Sequence, residues 1–491
     1  MQLFEKNSIK IFSIILLIIY FLSLVSEALI KGGRWDLNQQ IAFGQRLFEG
    51  ISSYANGQTD LFFPSSPYFP GVGYLSYILS VLGLDSVYFN EIFMLITAVL
   101  VGAIYFILLQ KLTLKIYPNI SKSAVLSITA ILLATHFKKY FYYMIEFKPD
   151  TILLVFGLLS LFLLEKEKKP NLISLILVGS ILLLTTFFKQ SFFVIYFLVY
   201  TLILFNKFFD IKEKIVILLA YSSGGLIALY LIFRVDNLYY FTVQTLGQPP
   251  MLGIKTIIYF FGISFINNFI YCLSLLYFLY KRYDKISLGS LETKYFIFAS
   301  AWFIFSSLST IKSGGNHGNV QVGLIVFLPF AIFALNELFK KFYNKKKYYF
   351  LVAIILFIST SVYTFKFIKN TNFYISKVND DFKSIEYLSQ KFNNKNVFVD
   401  GNTYIVAKSS GLNILTEAET VGHFNAIPNY DMNRLKNAID KRKYDLFFLT
   451  VDLVYYKDKG IKNKIDQNYK IYTSKSLPSH LESKLYVRKE K

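Results

Sequence analysis

Long apolar runs alternate with short, lysine-bearing loops over the first three quarters of the chain, and then the alternation stops. The runs fall at residues 9–30, 88–109, 123–136, 151–164, 171–187, 191–206, 215–233, 254–280, 295–309, 319–335 and 348–367. A helix needs about 20 mostly apolar residues to cross a bilayer, so the pattern predicts a polytopic α-helical membrane protein with about eleven transmembrane helices. The runs at 123–136 and 151–164 are short, so their helix ends must extend into flanking residues. The first run, with Lys6 and Lys10 at its start, is too long for a signal-peptide core and lacks a small-residue cleavage site; it reads as a retained helix.

The loops orient these helices. With the N-terminus in the cytoplasm, Lys111, Lys115 and Lys122, residues 165–169, Lys207, Lys212 and Lys214, Lys281, Arg282 and Lys285, and the lysines at 340–347 all share that side. The alternate loops 188–190 and 310–318 carry one lysine each, the asymmetry that the positive-inside rule expects. If residues 68–84 crossed the membrane, every later loop would swap sides, so that segment reads as interfacial or partly inserted. An odd number of crossings then leaves the C-terminus outside.

After Lys369 the pattern becomes that of a soluble domain. Helix-like stretches near 380–393 and 431–442 alternate with strand-like NVFVD (396–400), DLFFLTV (445–451), YKIYTSK and KLYVRK, which predicts a small external α/β domain over 371–491 beside a membrane domain over 1–370. Its carboxylates Asp400, Glu417 and Glu419 read as surface groups. It contains no Gly-rich phosphate loop and no metal-ligand spacing.

Composition adds little beyond this. The 491 residues are 54% hydrophobic with a net charge of +21, and the mean hydropathy is +0.45. So basic a soluble chain would suggest nucleic acid, but here the lysines sit in loops between spans and give orientation; no nucleic-acid partner is expected. The 51 Phe and 37 Tyr suit lipid-facing and interfacial positions. Cys272 is the single cysteine and lies in an apolar run, so no exported part can form an internal disulfide.

Candidate chemistry gathers in the expected outer loops. The first carries Gly33-Arg34-Trp35-Asp36 and runs into IAFGQRLFEG, an amphipathic helix expected to lie on the membrane. The second runs from His136 to Asp150 and includes Glu146. Short outer segments carry Lys189 and the Lys312–Gln321 turn with Asn316 and His317. A carboxylate at a membrane edge is costly without a task, which singles out Asp36 and Asp150. Each has a plainer reading: Asp36 as N-cap of a helix starting near Leu37, Asp150 as cap of the fourth span. Lys189 can equally snorkel from a helix end, Glu146 can pair with Lys138 or Lys139, and His317 stands in a turn with no second His or Cys at ligand spacing.

With these loops in place the chain resembles the GT-C superfamily of integral-membrane glycosyltransferases, in particular bacterial proteins similar to dolichyl-phosphate-mannose–protein mannosyltransferases and to the lipid A aminoarabinose transferase. The residues that carry the resemblance are the acidic Asp36 after the first helix, the aromatic-Pro element Tyr68-Phe69-Pro70-Gly71, the basic-Pro-acidic Lys148-Pro149-Asp150, Lys189 between two closely spaced helices, and the closing strand Tyr486-Val487-Arg488-Lys489. It covers about residues 10–370, and the order of its individually loose motifs carries more than any one of them. The resemblance implies transfer of a sugar from a polyprenyl-phosphate donor to a glycan, lipid or protein acceptor at the outer face of the cytoplasmic membrane, in cell-envelope assembly. It implies Asp36 as general base, Asp150 as a supporting or positioning carboxylate, and Arg34, Lys148, Lys189 and Lys312 as candidates for the phosphate. Asn316 and His317 would serve phosphate or sugar. The chain has one Asp in the first loop where many relatives have an acidic pair, and Lys148 where Arg is usual. The single Asp leaves a divalent cation, the one cofactor to consider, open. Two other classes stay open: a transporter or flippase of lipid-linked glycans, and a non-catalytic membrane scaffold.

Overall fold

The computed structural model describes residues 2–30, 35–50, 71–84, 86–137, 144, 147–165, 169–189, 191–246, 253–282, 289–311, 317–342, 345–400, 403–417, 432–449, 459–472 and 485–489. The chain forms two compact units: residues 1–27, 97–229 and 250–370, and residues 28–96, 230–249 and 371–491. Its helices are α1 (Gln2–Ile30), α2 (Trp35–Phe48), α3 (Gly71–Val81), α4 (Val87–Ile116), α5 (Lys122–Thr135), α6 (Asp150–Leu164), α7 (Leu172–Thr185), α8 (Phe192–Leu204), α9 (Ile211–Leu246), α10 (Ile254–Asn267), α11 (Phe269–Arg282), α12 (Leu291–Ile311), α13 (His317–Leu324), α14 (Leu328–Phe342) and α15 (Lys345–Phe392).

Each apolar window of the sequence coincides with helix, but the helices differ in reach. Among the described residues five stretches are long and apolar enough to cross a membrane: Asn7–Glu27, Phe89–Ile116, Ile211–Leu231, Gly318–Lys341 and Phe350–Phe373. The window 254–280, expected as one span, is broken at Asn268, where α10 and α11 bend by 84°. The side chain explains the break: Asn268 turns its amide onto the Ser264 carbonyl at 2.6 Å, competing with the helical ladder. Helices α5 to α8 have 13 to 15 residues, so each is roughly 20 Å long against a hydrocarbon core of about 30 Å.

In the first unit, α6 is buried along most of its length against α7 and α8, and α8 packs in turn on α12. Gly157 makes this possible, since a Cβ there would already stand 3.1 Å from Ile195 Cδ1. Around Pro329 the ladder between α13 and α14 passes through a 3-10 turn, Ile325–Phe327, because proline supplies no N–H. Carbonyls along this stretch take donors from buried aromatic side chains: Trp302 to Val322, Tyr271 to Leu324 and Tyr295 to Val326, at 3.2, 2.7 and 2.8 Å. Local caps start several helices. Ser121 and Asn171 accept from Ala124 and Ser174, and Asp210 with Glu213 forms a reciprocal capping box.

Polar links join helix ends that the loop charges assigned to one side. Lys115 at the end of α4 donates to the Glu165 carbonyl after α6, and Lys294 at the start of α12 pairs with the Glu165 carboxylate at 2.7 Å. Lys169 pairs with Glu213. Tyr117 donates to Glu292, which also faces Arg282 at 3.7 Å. Burial, and then the Glu292 charge, push the Tyr117 phenol well above its ordinary range, so it stays a donor. Outward from this packing, α9, α10, α11 and α15 expose Ile, Leu and Phe in number, among them Ile211, Leu226, Ile266 and Phe365; faces this apolar suit lipid.

The second unit holds a five-stranded sheet in the order β2-β1-β3-β5-β4, with β1 (Asn396–Val399), β2 (Asn413–Glu417), β3 (Leu446–Phe448), β4 (Tyr469–Ile471) and β5 (Leu485–Arg488). Strands β2, β1 and β3 are parallel; β5 is antiparallel to β3 and to β4. Helices α16 (Tyr404–Ser409), α17 (Asn433–Asp440) and α18 (Lys459–Asn468) connect them. The core is Phe398, Leu435, Ile439, Tyr444, Phe447, Ile465 and Tyr469. Phe43 of α2 belongs to the same cluster. The apolar face of α2, expected to rest on the membrane, is instead covered by α3, by this core and by α16. Gly44 and Gly73 allow the α2–α3 approach: a Cβ on Gly44 would lie 2.6 Å from the Gly73 carbonyl, and one on Gly73 would strike the Phe43 ring. With 11 residues α3 is too short to cross a bilayer.

Two further readings change. The helix near 380–393 is the end of α15, which runs unbroken from 345 because no Gly or Pro interrupts it. Asp400, expected at the surface, is fully buried at the end of β1. Its carboxylate accepts the Thr403 N–H at 3.0 Å, and the Thr403 hydroxyl reaches the Phe448 carbonyl at 2.6 Å, tying the ends of β1 and β3. The side chain of Glu417, and Glu419, lie outside the described residues.

Candidate functional site

The first turn of α6 is built by its neighbours in sequence. Phe147 adopts φ 54°, the left-handed region, which costs a bulky residue roughly 1–2 kcal/mol. Burial of its ring offsets this, being worth about 1.5–3 kcal/mol for a large apolar side chain, and its N–H donates to the Met144 carbonyl at 3.0 Å. Met144 is fully buried and passes over Gly102 of α4, where a Cβ would lie 2.0 Å from its sulfur. Pro149 then sets the helix entry and makes no side-chain cap. Asp150 is therefore the first helical residue and not the N-cap. At that position its charge meets the positive end of the helix.

Lys189 comes to it from the turn between α7 and α8. Thr185 and Thr186 close the end of α7 by returning their hydroxyls to the Leu182 and Leu183 carbonyls. The Phe188 ring packs 5.9 Å from that of Phe156 on α6. The Lys189 ammonium then donates to both oxygens of Asp150, at 2.9 and 2.8 Å. The two side chains are only 17% and 9% exposed. A charge pair this dry is strongly held only while both members are present. Snorkelling does not describe Lys189, since its ammonium turns onto a buried carboxylate.

Of the other expected site residues, Lys148 is half-buried two positions before Asp150, in the same turn. Asp36 is the second residue of α2 and hence not its N-cap, and His317 begins α13, where a turn was expected; both side chains lie outside the described residues. Arg34, Tyr68, Glu146, Lys312 and Asn316 also lie outside them. Among the described residues no group of three or more His, Cys, Asp or Glu side chains is arranged to hold a metal ion. Both oxygens of Asp150 are engaged by an ammonium, so this carboxylate is not laid out as a metal ligand, and the chemistry below uses no metal.

Two buried polar positions escaped the sequence reading. Glu27, 1% exposed near the end of α1, pairs with Lys366 of α15. Beside it Tyr363 donates to the Ala134 carbonyl at the end of α5, so α1, α5 and α15 are tied together there. Asn90 and Glu91, in the first turns of α4, are both buried. The available signal was the same in both cases: a lone polar or acidic residue inside an apolar run, as in SLVSEALI and VYFNEIFML.

The helix lengths, the hydropathy and the lipid-suited faces define the class, a polytopic α-helical membrane protein that also carries a small α/β sheet. No family model matches the chain and no curated protein matches it. Among solved structures it is similar to the oligosaccharyltransferase of Archaeoglobus fulgidus, crystallised with a tethered acceptor peptide containing the NVT sequon, at 12% identity and a TM-score of 0.48, over 94% of this chain and 73% of that one. A likeness of that degree fixes neither activity nor substrate.

Proposed function

We propose that this protein transfers a sugar from a polyprenyl-phosphate donor to an acceptor at the outer face of the cytoplasmic membrane, with inversion at the anomeric carbon, in cell-envelope glycan or glycolipid assembly. The observation that carries the proposal is the buried Asp150–Lys189 pair, doubly hydrogen-bonded at the head of an apolar helix. A fold gains little stability from such a pair over apolar residues of equal size, whereas a reaction that expels a lipid phosphate needs an oriented cation. Lys189 supplies that cation and Asp150 holds it in place; Lys148, in the same turn, adds a second positive charge.

In the proposed step an acceptor hydroxyl attacks the anomeric carbon, the bond from that carbon to the phosphate oxygen breaks, and the phosphate leaves with the electron pair. The acceptor proton passes to Asp36, help worth about 10²–10⁴-fold for a general base. Lysine donors meet the charge that grows on the leaving phosphate; one such donor is worth about 10²–10³-fold. The proposed orientation follows the loop lysines: N-terminus inside, about eleven crossings, and residues 371–491 outside. The assay is transfer from a lipid-linked donor by D36N and D150N variants in membranes. Each should lose at least about 10²-fold in turnover, and near-wild-type rates in both would remove the assignment.

One observation favours a second reading. The 84° break between α10 and α11 carries the buried polar residues Ser264 and Asn268, and discontinuous helices of this kind form substrate sites in transporters. Accumulation of a lipid-linked glycan in proteoliposomes without covalent transfer would decide for transport.

A further inference from the structure

Each member of the buried pair follows a phenylalanine that the proposed reaction leaves without a task. Phe147 stands three residues before Asp150 and Phe188 immediately before Lys189, all four inside the first unit. Among the described residues three that are not glycine take a positive φ: Phe147, Asn394 and Arg442. Asn394 is exposed and of a type that tolerates the left-handed region, and Arg442 is half-buried. Phe147 is the buried one, at 2% exposure. A bulky residue stays in that conformation only where its surroundings over-determine it, and such outliers gather where a functional side chain is aimed.

From the Phe147 ring to the Asp150 carboxylate the chain has little freedom. The Phe147 N–H is tied to the Met144 carbonyl at 3.0 Å. Lys148 precedes a proline and is thereby turned away from helical torsions, and Pro149 is held by its own ring at φ −66°. Burial of one phenyl ring thus sets where Asp150 enters its helix. The Lys189 side is built in the same way. The Phe188 N–H donates to the Thr185 carbonyl at 3.2 Å and the Lys189 carbonyl accepts from Phe192 at 3.0 Å, so the backbone is pinned before and after the lysine. The half-buried Phe188 ring lies 5.9 Å from that of Phe156, on the helix that Asp150 opens. Without that contact a flexible four-carbon stem would have to find the carboxylate unaided. We infer that Phe147 and Phe188 are positioning residues, whose rings hold the Asp150–Lys189 pair in the geometry that meets the leaving phosphate. The inference rests on the glycosyl-transfer reading and deepens it by naming residues that act on rate through the pair. The charge they aim at develops only in the transition state, so their loss lowers kcat and spares KM.

The test uses the full-length protein in nanodiscs, with a panel of polyprenyl-phosphate hexoses and pentoses as donors. KM and kcat per folded molecule are measured for the wild type, F188A, F188Y, F147G and D150N. F188A should lower kcat by about 10²-fold, the cost of a small misplacement, with KM held within about twofold. F188Y keeps the ring and should recover most of the loss. F147G removes the ring together with the backbone cost and should lower kcat as F188A does; where it does not fold, F188A carries the test, since its ring is only half-buried. If the folded variants turn over like the wild type while D150N does not, the inference is overturned and the glycosyl-transfer reading stands. A raised KM at unchanged kcat, or equal losses in F188A and F188Y, overturns it as well. If the wild type transfers no sugar, both fall together.

Discussion

Replacing Lys189 and Asp150 separately and together with leucine separates what the pair does for the fold from what it does for chemistry. At 2.8–2.9 Å, Coulomb's law with an effective dielectric of about 20 gives a gross attraction of about 6 kcal/mol. Withdrawal of both groups from water cancels much of this, so the net worth of the pair is small while the cost of orphaning one member is large, about 3–5 kcal/mol. The two single variants should differ. K189L strands a carboxylate that is 9% exposed and fixed to a helix start, and should cost the full about 3–5 kcal/mol. D150L removes the carboxylate from a flexible, slightly more exposed ammonium that can extend toward water, and should cost less, about 2 kcal/mol. The double variant should return to within about 1 kcal/mol of the wild type, a coupling of about 4–7 kcal/mol. Unfolding equilibria of the four proteins in mixed micelles measure this cycle. A coupling below about 1 kcal/mol, the value of an exposed pair, would refute the description of a dry, mutually dependent pair. Transfer by the stable double variant is the second readout: it should be lost, and full activity there would make the pair scaffold alone.

The remaining predictions concern close approach and a second pair. G44A should lower stability by about 2 kcal/mol, because the new Cβ meets Ser76 Cβ at 2.5 Å and backbone atoms at 2.6 and 2.7 Å; alanine in a helix otherwise gains about 1 kcal/mol over glycine, so a stabilised G44A would show that α2 and α3 do not touch. K366L, which removes the cation paired with the buried Glu27, should cost about 3–5 kcal/mol in the same assay, with E27L/K366L recovering most of it; an unchanged K366L would refute the description of that pair as buried and mutually dependent.

The site was partly legible in the sequence because its signals are local. The basic-Pro-acidic run Lys148-Pro149-Asp150 announced a helix start with a charge on it, and Lys189 stood out as a charge in a very short segment between two closely spaced apolar runs. That these two meet was not legible, since 39 positions separate them and nothing in either segment names its partner. Asn268 was missed because the window averages that reveal a span conceal a single residue that bends it. Asp400 was misread for a related reason: a polar residue just after a strand is usually at the surface, and only the Thr403 bridge to β3 shows why this one is enclosed.

Hydrophobic period and run length are properties of neighbouring residues, and so the chain alone determined where its helices and four of the five strands of its sheet would lie, along with its affinity for a bilayer. Tertiary structure decided which faces those helices would hide. The apolar stripe of α2 is equally suited to lipid and to protein, and it went to the core around Phe398 and Phe447 because α3 and the sheet offered close-packed contact there. Likewise each buried charge required an opposite one, and several strands of chain carried candidates. Pairing Glu27 with Lys366 and Asp150 with Lys189 is a choice among distant segments that desolvation enforces only once the helices are packed.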